Sequence, residues 1–163
     1  MRHQLRDILF GTLFVVCLLI GCSLGGGHSA AAPAAPTGDE AALNTLIDKF
    51  QTSYSTKDYA ALRTCFHPKA NVAIDYLGGT VQSSSLINDW IKDTENILKD
   101  KSQVSDVLSN REFTVYRNIA TVVADYDYRS GLDHQVGQDV FTCIKFNGEW
   151  KIFCLVFYGD PAK

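Results

Sequence analysis

The chain has 163 residues, 46% of them apolar, with 15 basic against 18 acidic side chains and a net charge of -3. This suits one domain of ordinary size with a single core, and implies no second domain. Neither sign of charge gathers into a block beyond the N-terminus, so the basic face that nucleic-acid binding requires is missing.

Arg2 and Arg6 precede an uncharged run, Ile8 to Gly21, of mostly Leu, Ile, Val and Phe. That is the n-region and h-region of an export signal, and it falls short of the roughly 20 apolar residues of a membrane span. The run closes on Leu19-Ile20-Gly21-Cys22, which resembles the bacterial lipobox. The resemblance implies that residues 1–21 are a signal peptide cut before Cys22, whose thiol, nucleophilic as the thiolate, carries the lipid. A lipidated chain contacts the membrane through Cys22 and resides in the bacterial cell envelope, facing the periplasm or the cell surface. Two alternatives stand beside it: an uncut anchor over Ile8 to Gly27, and plain signal cleavage near the Ala-rich stretch. Under lipidation Cys17 is only an apolar residue of the discarded signal.

Residues 22–38 are rich in Gly, Ala and Pro and almost free of large apolar side chains, which predicts a flexible tether with a solvated His28. The folded domain is expected over 39–163. Thr37 and Glu40 have capping-box spacing, and Leu43, Leu46, Ile47, Phe50 and Tyr54 then recur at helical period, predicting a helix from about Asp39 to Ser55. A shorter helix is expected over Asp58 to Phe66, ended by Pro68. Asn71 to Leu77 alternates as a strand and runs into Gly78-Gly79. A third helix follows from about Ser84, with Leu86, Ile87, Trp90, Ile91, Thr94, Ile97 and Leu98 along one stripe.

From Val104 the period changes to two. Strands are predicted at Gln103 to Leu108, Glu112 to Tyr116, Ile119 to Tyr128, Gly137 to Phe146 and Trp150 to Tyr158, the first two separate or one long bent strand. Arg117-Asn118 and Asn147-Gly148 mark the joints. Helices first and an antiparallel meander after them indicate an α+β fold.

"FQTSYSTKDYAALRTCFHPKANVAIDYLGG", Phe50 to Gly79, and "DVFTCIKFNGEWKIF", Asp139 to Phe153, resemble the opening elements and closing hairpin of the SnoaL-like group in the nuclear transport factor two-like superfamily. The resemblance covers about Asp39 to Tyr158. It implies a cone in which three helices pack on a strongly curved antiparallel sheet and close over a pocket. Its members include steroid isomerases, polyketide cyclases, dehydratases and non-catalytic scaffolds, so fold alone does not choose a function.

In the isomerase branch a general-base carboxylate ends the first strand, a position that Asp75 matches. Its alternative is a solvated strand-end residue. The branch's oxyanion donors, a Tyr and a protonated Asp, fall on Phe50 and Thr142 here; Phe cannot donate and Thr is a weak neutral donor, which disfavours steroid isomerisation by that route. Catalysis would need a donor such as Tyr54 or Tyr76.

The pocket face of the strands is open at this stage. One register places Asp125 and Asp127 inside with Thr142, Phe153, Leu155 and Phe157; the other turns Tyr126 and Tyr128 inward and leaves the aspartates in solvent. His67 and His134 lie far apart in sequence without metal-ligand spacing, so neither a metal nor a cofactor is assigned. Cys143 and Cys154 are diagonal neighbours on the closing hairpin, open either to a disulfide or, with Cys65, to remaining buried thiols.

These readings lead to an envelope-anchored protein whose pocket binds a small, largely apolar molecule or supports a protein partner. The alternatives are a cofactor-free isomerase, cyclase or dehydratase with Asp75 as base, and an assembly module that dimerises through its sheet, as superfamily members do.

Overall fold

The computed structural model describes residues 37–75 and 83–162. The signal peptide, Cys22, nearly all of the tether and Tyr76 lie outside the described residues.

Helix α1, Gly38–Ser55, starts as its capping box dictates. The Glu40 N–H donates to Thr37 Oγ1 at 3.3 Å, and the Thr37 N–H donates to the Glu40 carboxylate at 3.0 Å. Each satisfies a backbone donor that the first helical turn leaves without a partner. The helix buries Leu43, Leu46, Ile47 and Phe50. Its Asp39 accepts from Lys145 Nζ at 2.6 Å and from Trp150 Nε1 at 3.1 Å, tying the helix start to the last hairpin.

Lys57 turns the chain in a left-handed conformation, φ 59°, into α2, Tyr59–Cys65. The Asp58 carboxylate caps this helix by accepting from the Ala61 N–H at 2.9 Å. Strand β1, Phe66–Asp75, follows at once and takes in Pro68. Its ladder is irregular between Phe66 and Asn71, the part of a strand where a residue without an N–H is tolerated. A short strand not anticipated from the sequence, β2 (Ser83–Leu86), precedes α3, Ile87–Leu98. Lys57 Nζ donates to the carbonyls of Leu98 (2.8 Å) and Lys101, placing a cation at the negative end of α3.

The remaining strands are β3 (Ser105–Tyr116), β4 (Ile119–Ser130), β5 (Asp133–Phe146) and β6 (Glu149–Pro161). Arg117 and Asn147-Gly148 take the positive φ values their tight turns require. A further turn at Gly131 (φ 63°) lengthens both neighbouring strands, so His134 sits within β5 rather than in a loop. One curved sheet results, in the order β2-β1-β6-β5-β4-β3, antiparallel except where β1 runs parallel to β6.

Two one-residue irregularities decide which side chains face the helices. Between Ser109 and Glu112 the β3 ladder gains a residue against β4, so the two predicted short strands are one bent strand. Its inner face changes from Asp106 and Leu108 to Phe113 and Val115. On β6 the ladder passes from Ile152, opposite Cys143, to Cys154, opposite Thr142, leaving Phe153 as the extra residue. Inward positions therefore switch from Trp150 and Ile152 to Leu155 and Phe157.

The core lies between this face and the helices. Leu43, Ile47, Leu62, Ile91, Phe141 and Ile152 are almost completely buried, each worth about 1.5–3 kcal/mol of transfer free energy. Among the described residues no helix is long and apolar enough to cross a membrane.

Candidate functional site

Core packing leaves a half-open cavity of about 230 Å3, bordered by α1, α3, the end of β1 and the inner faces of β3 to β6. Its walls are aromatic: Phe50 and Tyr54 from α1, Trp90 from α3, Tyr126 and Tyr128 from β4, and Phe157 from β6. Tyr54 stacks on Phe50 (centroids 6.3 Å apart, 25° between planes) and on Trp90 (6.1 Å, 22°), and meets Tyr128 edge-on at 6.3 Å. Such contacts hold the rings in fixed orientations.

The buried carboxyls of the lining are Asp106 of β3 and Asp139 of β5, 8% and 5% exposed, and Thr94, Asp133 and Gln135 add further polar groups. Asp106 stands opposite Tyr128, and Asp139 lies between Ala124 and Phe157 in the ladders. The Asp106 backbone is fixed by its N–H, which donates to Ser55 Oγ at 3.1 Å. Burial, followed by the charge of Asp127, pushes the Asp106 carboxyl up to about 7. Burial, followed by the charge of Asp106, raises Asp139 well above the usual carboxylate range. Both shifts have the same origin: an ionised carboxyl loses water there and gains no compensating cation. The cavity lining among the described residues contains no Lys, Arg or His.

Phe50, Tyr54, Leu155 and Phe157 of the sequence-derived residues line this cavity. Four others stand elsewhere. Inward positions on β4 are even-numbered, Val122, Ala124 and Tyr126, so Asp125 and Asp127 project from the opposite face. Asp125 accepts from Asn110 Nδ2 at 2.9 Å and Gln138 Nε2 at 3.0 Å; these bonds hold its carboxyl below the usual range. Asp127 is paired with Arg129 at 2.9 Å and His134 at 3.1 Å and is lowered in turn, chiefly by the Arg129 hydrogen bond. Thr142 shares the outer side because Asp139, Phe141 and Cys143 face inward on β5. Phe153 is the extra residue of the β6 bulge and packs against His67 at 5.6 Å.

Asp75 pairs with Tyr158 at the end of β1, but its side chain and Tyr76 lie outside the described residues. His67 is edge-on to Phe146 at 4.7 Å and accepts from the Lys69 N–H at its own Nδ1. Cys65, Cys143 and Cys154 are free thiols; the bulge that displaces Phe153 also separates Cys154 from the face of Cys143. Burial raises all three, Cys65 to about 11 and Cys143 to about 12, which keeps them protonated and weakly nucleophilic at neutral pH.

Asp106 and Asp139 are the residues that reading the sequence missed. The available signal was parity: Asp139 shares its alternation with Phe141 and Cys143, and Asp106 with Leu108, all of them buried.

Comparison with known proteins agrees with this architecture. The model of the family described as "Putative lumazine-binding" matches residues 38–158. A solved structure from Novosphingobium aromaticivorans titled "putative aromatic ring hydroxylase" superposes with a TM-score of 0.65 at 19% identity, over 78% of this chain and 96% of the other. An "ntf2-like protein of unknown function" from Shewanella baltica gives 0.61 at 14% identity, over 78% and 100% of the two chains. A "Putative Scytalone Dehydratase" from Novosphingobium aromaticivorans DSM 12444 gives 0.62 at 17% identity, over 75% and 84%. No curated protein sequence matches the chain. With three helices closed over a six-stranded curved sheet and a family match spanning nearly the whole described region, the chain belongs to the family described as "Putative lumazine-binding", within the SnoaL-like and nuclear transport factor two-like superfamily.

Proposed function

We propose that this chain is a small-molecule binding protein of the bacterial cell envelope, held by a lipid on Cys22, whose cone takes up a ligand of one or two rings. The observation that carries the reading is the aromatic-walled cavity of about 230 Å3. Ordinary ligand sites run from about 300 Å3 upward, so this one suits a small, flat, largely apolar molecule better than a sterol. Stacked walls give affinity for such a body, and a few polar groups at one end give it orientation. The family description names lumazine, a two-ring heterocycle of fitting size.

Calorimetric titration of the full-length chain with lumazine tests the reading. Saturable binding to the wild type that is lost on filling the cavity with Phe157→Trp supports it. No saturable heat, or equal heat from the filled variant, refutes it for this ligand type.

A second reading, a proton-transfer enzyme, is favoured by one observation: Tyr54 shares the cavity with two carboxyls of raised proton affinity. The acid and base would then be Asp106 and Asp139 before Asp75. Turnover of a carbonyl substrate that survives both Asp106→Asn and Asp139→Asn but not Asp75→Asn would restore Asp75 to that role.

A further inference from the structure

The cavity combines features that ordinarily balance one another, without the balance. Asp106 and Asp139 are both more than nine-tenths buried, both line the cavity, and stand near enough that ionisation of one raises the other. Buried carboxyls in proteins are normally paired with a cation, because an unpaired buried charge is costly. Among the described residues, these Lys and Arg side chains of the flanking segments are engaged elsewhere: Lys101 pairs with Asp133 at the rim, Lys57 caps α3, Arg129 holds Asp127 outside the sheet, and Arg111 is bonded to Asn44 and Asp48. The same cavity is lined by Tyr54, Trp90, Tyr126 and Tyr128, aromatic rings whose π-electrons also favour positive charge.

Building on the small-molecule reading above, we propose that the natural ligand is an organic cation, an aromatic ammonium or amidinium, whose charged nitrogen sits at Asp106 and Asp139 while its ring lies among the aromatic walls. The ligand supplies the positive charge that the described residues of the lining lack. N–H groups of the cation donate to the carboxylate oxygens, and these charge-assisted bonds are stronger than neutral ones.

A proton linkage follows. The charged groups acting on the pair are Asp127 from behind β4 and Asp133, already paired with Lys101, at the rim; α1, α3 and β6 contribute only neutral groups to the lining, Tyr54, Thr94 and Phe157 among them. With no Lys, Arg or His in the lining among the described residues, the empty site keeps protons on its carboxyls at pH values where ordinary aspartates are ionised. Cation binding expels a proton, so affinity rises with pH until the carboxyls ionise unaided.

The test is calorimetric titration of the full-length chain with 2-phenylethylammonium and its neutral counterpart 2-phenylethanol, from pH 5.5 to 8, in buffers of different ionisation heat. The ammonium is expected to bind about tenfold or more tightly than the alcohol at pH 8, to tighten as pH rises, and to release protons. Asp106→Asn and Asp139→Asn, each nearly isosteric, should each erase that preference and its pH dependence while the alcohol still binds. Equal binding of the two probes, or an ammonium preference that survives both substitutions, overturns the proposal and leaves the small-molecule reading standing. Failure of both probes to bind overturns the proposal, and the lumazine titration then decides the small-molecule reading on its own.

Discussion

Replacing Asp106 by Asn should make the empty protein more stable near neutral pH and flatten the fall of its stability with rising pH. The unfolded chain releases the Asp106 proton near the usual 3.8, whereas the folded chain holds it to about 7. Between those values the folded state binds more protons than the unfolded one, so raising the pH favours unfolding; below 3.8 the contribution is complete, and above 7 it is lost. At about 1.4 kcal/mol for each pH unit crossed, the interval amounts to about 4 kcal/mol, an upper figure because water entering around an ionised carboxylate lowers it. Asn keeps the shape, never ionises, and also frees Asp139 from the Asp106 charge that raises it. Urea unfolding followed by the emission of Trp90 and Trp150 at pH 5, 6.5 and 8 measures the effect. The wild type should lose stability across that range relative to the variant, with the gap widest at pH 8. Parallel stabilities from pH 5 to 8 would refute the assignment of Asp106 as a buried carboxyl without a cation.

Phe50→Ala should cost about 3–5 kcal/mol in urea unfolding, since Phe50 is 2% exposed and packs on Tyr54, Phe66 and Phe141; a cost below about 1 kcal/mol contradicts that packing. A Cβ at Gly159 would lie 1.7 Å from Oη of Tyr126, a ring only 6% exposed, so the ring or the strand must shift. Gly159→Ala is therefore predicted to cost about 1–3 kcal/mol and to weaken cavity binding of 2-phenylethanol by displacing the Tyr126 ring; unchanged affinity in calorimetry would count against Tyr126 as a wall. Cys22→Ala should abolish both the lipid mass increment and processing of the chain in its cell, and normal processing of that variant would sink the lipoprotein reading. The outer face of β6 exposes Val156 and Tyr158, 39% and 44%, which fits a homodimer through the sheet; sedimentation should show a dimer that Val156→Glu converts to a monomer, and a wild-type monomer at high concentration would rule it out.

The fold was legible because its signals are local. The Thr37–Glu40 box set the start of α1, the 3.6-residue stripe from Leu43 to Tyr54 set its buried face, and Asn147-Gly148 set the last hairpin. What escaped depended on pairings between distant segments. The short β2 exists because β1 offers it an edge, with Asn71 opposite Leu86, and no feature of Ser83 to Leu86 announces a strand. The parallel placement of β1 beside β6 depends likewise on two segments far apart in sequence.

The site was half legible for the same reason. Phe50 and Tyr54 could be placed from helical period alone, but the strand residues depend on parity, and parity is reversed by a single added residue. Counting inward positions back from Phe157 through Leu155 arrives at Phe153, yet the bulge puts Phe153 outside and Ile152 inside. The same reversal on β3 hides Asp106 from anyone counting back from Phe113. Aspartate adds a second difficulty, because in an alternating strand it reads as the solvent-facing member. Asp125 and Asp127 obey that rule and are hydrogen-bonded and ion-paired outside. Asp106 and Asp139 break it, and a residue that breaks the rule without a cationic partner among the described residues of its cavity is where a ligand has chemistry to supply.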